Sequence, residues 1–293
     1  MKLGQFEVWP ISDGTFKLDG GQMFGVVPKV MWEKKAPADE RNLIRMALNC
    51  LLVQTGEHNI LIETGIGERF DAKFADIYRV QKSTSLPAEL ARHGLSWPDI
   101  DIVINTHLHF DHCGWNLRVD DGRLVASFPR ARYFVQRGEW EHALHPTLRD
   151  RASYIADRFQ TAESHTEFLE ADQEILPGVS VEVLPGHNRN MQAVRIESEG
   201  QAVYFISDLV PMRPHVAYPW IASVDLYPLE TLAQKQRLLP RLAEEKAIVV
   251  FPHEPDMPWA RLVDKDGKIE AEPVEPLSQW GIESFGHGVI ESF

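Results

Sequence analysis

Cysteine is almost missing from this chain: Cys50 and Cys113 are its two thiols in 293 residues. Two thiols cannot form the disulfide framework that staples small secreted domains, so a reducing compartment is expected. Apolar runs are short, none near the roughly 18–20 residues that cross a bilayer. The opening stretch Met1-Lys2-Leu3-Gly4-Gln5-Phe6-Glu7-Val8 has no uninterrupted apolar segment of the secretory kind. A cytoplasmic protein without a membrane partner is the expectation. Runs of Lys or Arg are also lacking, and the formal net charge is -13. That argues against a broad phosphate-backbone footprint, so no nucleic-acid partner is expected. No internal repeat, low-complexity tract or Gly/Ser linker divides the chain, which reads as one domain over 1–293.

Short apolar runs alternate with amphipathic stretches. Strands are expected at 5–11, 49–55, 59–63, 101–106, 132–136, 179–184, 193–198, 202–207 and 247–251. Gly56-Glu57-His58 reads as the turn of a hairpin, as does the break at Gly200. One helix is expected at 86–93, with Pro87 in its first turn and Gly94 at its C-terminal cap. Another is expected at 228–244, with Leu229, Leu232, Leu239 and Leu242 on one side and Lys235, Arg237, Arg241 and Glu244 largely elsewhere. Paired strands with helices between them predict an α/β fold, an αββα sandwich of two mixed β-sheets with helices on the outer faces.

Two segments interrupt this pattern. Residues 137–169 are polar-rich without strand alternation and read as a helical insertion. Residues 20–40 form a long irregular stretch carrying Met23, Phe24 and Trp32, which suits a lid loop or a substrate wall. Both are candidates for lid closure or for the contact of a homodimer.

Twelve histidines are present, and the densest group is His107-Leu108-His109-Phe110-Asp111-His112. It follows directly on the β-branched strand Asp101-Ile102-Val103-Ile104-Asn105-Thr106, whose backbone fixes the ligands on one side. If extended geometry persists, residues 107, 109 and 111 point one way and His112 another. That spacing suits two adjacent cations, His107 and His109 on one, Asp111 and His112 on the other. Imidazole and carboxylate are donors that zinc, iron and manganese accept.

This block resembles the H-x-H-x-D-H hallmark of the metallo-β-lactamase superfamily, and the resemblance extends over most of the chain. Ile62-Glu63-Thr64-Gly65 looks like the family's Asp-Thr-Gly motif, with Glu63 in place of the Asp. Pro185-Gly186-His187 resembles its Gly-His motif and implies His187 as the third histidine of the first metal. Phe205-Ile206-Ser207-Asp208 implies Asp208 as the carboxylate bridging both metals, and Phe251-Pro252-His253 implies His253 as the last ligand of the second. The remaining histidines (His58, His93, His142, His145, His165, His215 and His287) lack such context and read as surface or structural residues. Cys113, beside the block, reads as a packing thiol.

Two departures stand out. Where the family often continues Gly-His-Thr-Pro-Gly-His, this chain reads Gly186-His187-Asn188-Arg189-Asn190-Met191. The family's quorum-quenching lactonases carry a tyrosine three residues after the bridging aspartate, and here Pro211 stands there. His215 or Tyr218 could approach the site from the same loop, which adds them to Met23, Phe24 and Trp32 as candidate pocket residues.

The resemblance, closest to the lactonase and methyl-parathion-hydrolase-like branch, implies a hydrolase with two divalent cations, zinc first and iron or manganese as alternatives. Water activated between the metals would attack an ester or lactone, with Asp111 as proton shuttle. The small-molecule substrate is expected to have an apolar portion. A phosphotriester is the alternative substrate, and a non-haem iron oxidoreductase of the sulfur dioxygenase kind is the alternative class.

Overall fold

The computed structural model describes residues 1–274, and His287 lies outside the described residues. The chain begins with β1 (Lys2–Leu3) and β2 (Phe6–Asp19), which runs antiparallel to β3 (Leu43–Gln54), itself antiparallel to β4 (Asn59–Ile62). β5 (Ile102–Ile104) adds to β4 in parallel. After a separate hairpin, β6 (Leu117–Asp120) and β7 (Arg123–Ala126), the strands β8 (Arg132–Gln136) and β9 (Thr166–Leu169) extend the sheet in parallel. The result is a seven-stranded sheet ordered β1-β2-β3-β4-β5-β8-β9.

A second seven-stranded sheet follows in sequence order. Its members are β10 (Gln173–Leu176), β11 (Val179–Val183), β12 (Gln192–Ser198), β13 (Gln201–Phe205), β14 (Ile248–Val250), β15 (Trp259–Lys265) and β16 (Lys268–Pro273). All neighbours are antiparallel except β13 and β14, which are parallel. Gly200 turns β12 into β13 at φ 74°, a backbone conformation that glycine adopts without strain.

Alternation along each strand decides which layer a side chain joins. On β3, Leu51 and Val53 enter the cluster between the sheets, with Ile60 and Ile104 beside them and Val194, Phe205 and Val250 opposite. Cys50 and Leu52 point the other way. The segments α1 (Gly20–Phe24), α2 (Lys29–Trp32) and α3 (Ala72–Tyr78) precede α4 (Leu86–Arg92), which covers Cys50 and Leu52 with Leu86 and Leu90. After α5 (Arg137–Leu144), the long α6 (Pro228–Glu244) covers the outer face of the second sheet, packing Leu238, Leu239 and Leu242 on Tyr204 and Val249. With both faces covered, these strands read as near-continuous apolar runs. The fold is thus the expected αββα sandwich. Among the described residues, no helix is long and apolar enough to cross a membrane.

The structure corrects several details. Segment 137–169 is not helical throughout: α5 is followed by short 3-10 turns, and Thr166–Leu169 is strand β9, paired with β8. On α6, Leu229 is 80% exposed while Lys235 is buried. The Lys235 ammonium donates to the carbonyls of Ala217, Tyr218 and Trp220 at 2.7, 3.2 and 2.9 Å, which satisfies a charge that could not otherwise stay inside. Strands β10, β15 and β16 escape the apolar pattern because they are short or strongly charged.

Leu239→Ala is expected to remove about 2–5 kcal/mol of stability by opening a cavity under α6. Urea denaturation followed by circular dichroism measures it, and a loss below about 0.5 kcal/mol would contradict this packing.

Candidate metal centre and cleft

His107, Asp208 and His253 each lie three residues beyond the last paired residue of a strand: Ile104 of β5, Phe205 of β13 and Val250 of β14. Parallel pairing ends these strands on one edge of the sandwich, so their loops converge there. The 107–114 loop does not stay extended. His112 and Cys113 both donate their backbone N–H to the His109 carbonyl, at 3.0 and 3.2 Å, closing a turn. Gly114 lets the loop press against the neighbouring strand end, since a Cβ there would lie 2.0 Å from the carbonyl carbon of Ile66. The turn brings the His112 ring to 4.0 Å from that of His107 and sets Asp111 and His112 with His253.

Two donor groups share no member, His107, His109, His187 and Asp208 in one and Asp111, His112 and His253 in the other, and a third set, Glu63, His107 and His112, overlaps both. Asp208 joins them: its Oδ2 lies 3.8 Å from His107 Nε2, 3.3 Å from His187 Nε2 and 3.5 Å from His112 Nε2, and its Oδ1 lies 3.2 Å from His253 Nε2. Asp111 Oδ2 is 3.9 Å from His112 Nε2 and 3.7 Å from His253 Nε2.

Hydrogen bonds on the outer side of the rings fix where the imidazole protons sit. His253 Nδ1 donates to the Ala47 carbonyl at 2.9 Å, and His187 Nδ1 donates to Asp225 Oδ1 at 2.9 Å. Thr106 spends its single hydroxyl proton on Glu63 and accepts from Ser207 Oγ at 2.6 Å, so at 3.0 Å it must accept from His107 Nδ1 as well. With Nδ1 spent on an outer acceptor, each of these rings presents its Nε2 to the centre. His187 Nε2 faces His109 Nδ1 at 3.1 Å, and His253 Nε2 faces His112 Nε2 at 3.2 Å. His107 Nε2 and Asp208 Oδ1 are buried without any hydrogen-bond partner. Converging lone pairs and orphaned acceptors of this kind suit divalent cations, and both donor groups fit them.

Charge within the site follows the same logic. Burial first, then the neighbouring imidazoles, holds His107 and His109 well below the ordinary histidine range. Burial opposes ionisation of Asp208 too, but His253, His112 and His187 outweigh it and hold the carboxyl well below its usual range. Around His112, burial is outweighed by Asp208, Asp111 and Glu63, which raise its pKa.

Sequence reasoning missed part of the supporting frame. Asp225 orients His187 and receives Thr231 Oγ1 at 2.7 Å, while the backbone N–H of Leu226 binds the His187 carbonyl at 3.0 Å. An aspartate between Val224 and Leu226 has no local signature. Glu139 of α5 accepts the Leu108 backbone N–H at 2.9 Å and the Tyr154 hydroxyl at 3.1 Å. Glu63 and Ser207 hold left-handed backbone at φ 64° and 56°, strain that the surrounding bonds must offset. Cys113 is a packing thiol, donating to the carbonyls of Leu108 and His109.

The centre opens into a cleft of about 730 Å³. Its apolar wall includes Leu18, Met23, Leu43, Met46, Phe110 and Leu226, beside the candidate ligands His109, Asp111, His187, Asp208 and His253. Of the candidate pocket residues, Met23 lines this cleft; Phe24, Trp32, His215 and Tyr218 do not. Phe24 is sandwiched between Trp32 at 5.1 Å and His215 at 4.8 Å, an aromatic stack behind the wall. His215 Nε2 is turned onto the Met23 carbonyl at 2.6 Å. Tyr218 packs against the α6 cluster, and its carbonyl caps Lys235.

The family model of the Metallo-beta-lactamase superfamily matches residues 45–253. The chain belongs to that superfamily, and it is a hydrolase of it. An N-acyl homoserine lactonase from Bacillus cereus is 28% identical over 229 residues, covering 73% of this chain and 83% of the relative. A solved structure described as a probable metal-dependent hydrolase from Staphylococcus aureus has a TM-score of 0.87 at 31% identity, covering 94% of this chain and 100% of the other. An N-acyl homoserine lactone hydrolase with N-hexanoyl-L-homoserine bound at its catalytic metal centre has a TM-score of 0.65 at 25% identity, covering 87% of this chain and 94% of that one.

Replacing Asp225 by Ala frees His187 to rotate and to change tautomer. Metal affinity is expected to drop about 10–100-fold, read by competition with a chromogenic chelator. Unchanged affinity would remove Asp225 from the site.

Proposed function

We propose that this protein hydrolyses the ester bond of lactones, N-acyl homoserine lactones first among them, at a dinuclear centre that binds zinc. The observation that carries the reading is the pair of donor groups joined through Asp208 in a cleft with one apolar wall. Relatives named as N-acyl homoserine lactonases support the substrate class.

Two divalent cations, when bound, supply a water of lowered pKa and polarise the carbonyl oxygen. The chain does the rest. Asp208, ionised and central, holds the two donor groups in one frame. Asp111 lines the cleft as well as facing His112 and His253, so its carboxyl can take a proton and pass it to the leaving oxygen. The apolar wall seats an acyl chain and excludes water from the reacting carbonyl, which strengthens each electrostatic contact there.

Elemental analysis of the purified protein, with turnover of N-acyl homoserine lactones, aryl esters and a phosphotriester, tests this. About two divalent ions per chain and chelator-sensitive lactone opening are expected. Best turnover of the phosphotriester would transfer the substrate class, and one iron with oxygen uptake on thiols would replace hydrolysis by oxidation. Asp111→Ala should lose metal and cut turnover by about 100-fold or more. Full activity in that variant would remove Asp111 from the mechanism.

A further inference from the structure

The hydrogen-bond donors of the cleft are not equivalent. Lys17 is paired with Asp39 at 2.8 Å, and the Arg149 guanidinium donates to the Ser223 carbonyl at 2.7 Å. On the loop after Asp208, Pro211 lines the cleft but has no N–H to offer, and His215 and Tyr218 face elsewhere. That loop presents no side-chain donor to the cleft among these residues, while Gln22, Arg41 and Ser153 line it elsewhere.

Tyr78 offers a hydroxyl donor from α3. It is the last residue of α3 and lines the cleft, and its hydroxyl has no hydrogen-bond partner among the described residues. Its ring is clamped at 4.4 Å from Phe74 and 4.9 Å from Phe110, the residue that precedes Asp111. A ring held on two sides aims its hydroxyl with little rotational freedom, so little order remains to be imposed on binding. A phenol, whose ordinary pKa is about 10, keeps its proton at neutral pH and serves as a donor.

We propose that Tyr78 is a substrate-contacting residue whose phenol O–H donates a hydrogen bond to an oxygen of the ester or lactone seated at the metal centre. The assignment rests on the hydrolytic reading above. Carbonyl, ring and leaving oxygens only accept hydrogen bonds, so a donor beside Phe110 complements the ionised Asp111 carboxylate, which only accepts until it has taken a proton. A phenol that orients the ester contributes to turnover more than to metal binding.

Tyr78→Phe keeps the ring against Phe74 and Phe110 and removes one oxygen. In the metal-loaded protein, kcat on the best lactone is expected to drop about tenfold or more, at unchanged metal content and Tm. Affinity for N-hexanoyl-L-homoserine, measured by calorimetry, should weaken about tenfold, a loss a packing role would not cause. An active wild type whose Tyr78→Phe variant keeps both kcat and this affinity overturns the role of Tyr78 and leaves the hydrolytic reading standing. Loss of metal or of Tm in the variant makes Tyr78 structural and overturns it too. A wild type that opens no lactone and no ester overturns the hydrolytic reading, and the role of Tyr78 with it.

Discussion

A single buried carboxylate, Asp208, stands within 4 Å of four imidazoles and is contacted by histidines of both donor groups. An anion in that position is stable only while positive charge or donated protons surround it. The outer hydrogen bonds leave few protons to give, because His187, His253 and His107 hold theirs toward Asp225, Ala47 and Thr106. The frame is thus assembled for a positive charge at its centre. The strand ends, the left-handed residues Glu63 and Ser207 and the tight approach at Gly114 all serve to hold that frame in register.

Much of the centre was legible in the sequence because its chemistry is local. Four candidate ligands sit within six residues after an apolar strand, and His187, Asp208 and His253 each end or follow a recognisable strand. The sandwich was legible from paired apolar strands for the same reason. The cleft was not. Leu18 and Met46 come from strands whose distant pairing sets their neighbours, and the aromatic character of Phe24 and Trp32 says nothing of which way the rings turn. Both went into a stack behind the wall, since two large rings lose more water by burying together with His215 than by facing a cleft. Strand β9 hid inside an apparent insertion because Thr166-Glu167-Phe168-Leu169 is too short to show a period.

The cleft walls are joined across the molecule. Ser223 donates its N–H to the Gln22 carbonyl at 2.8 Å, and its hydroxyl reaches the Gly21 and Gln22 carbonyls at 3.1 and 3.0 Å. Segments 20–24 and 222–224 therefore form one continuous wall, with Met23 on its inner side. On the hydrolytic reading, selectivity for the apolar part of a substrate would reside in this wall and in β2 and β3, and the chemistry in the strand-end loops. The two can vary independently, in keeping with a fold whose sites are grafted on loops.

The ligands come from both sheets: His107, His109, Asp111 and His112 follow β5 of the first, whereas His187, Asp208 and His253 belong to the second. A cation held there would be gripped from both sides, a rivet through the sandwich. Its binding free energy adds to the cohesion of the two sheets, about 4 kcal/mol at a thousandfold excess over Kd. Metal supply would then govern how long the folded chain persists as well as how fast it turns over.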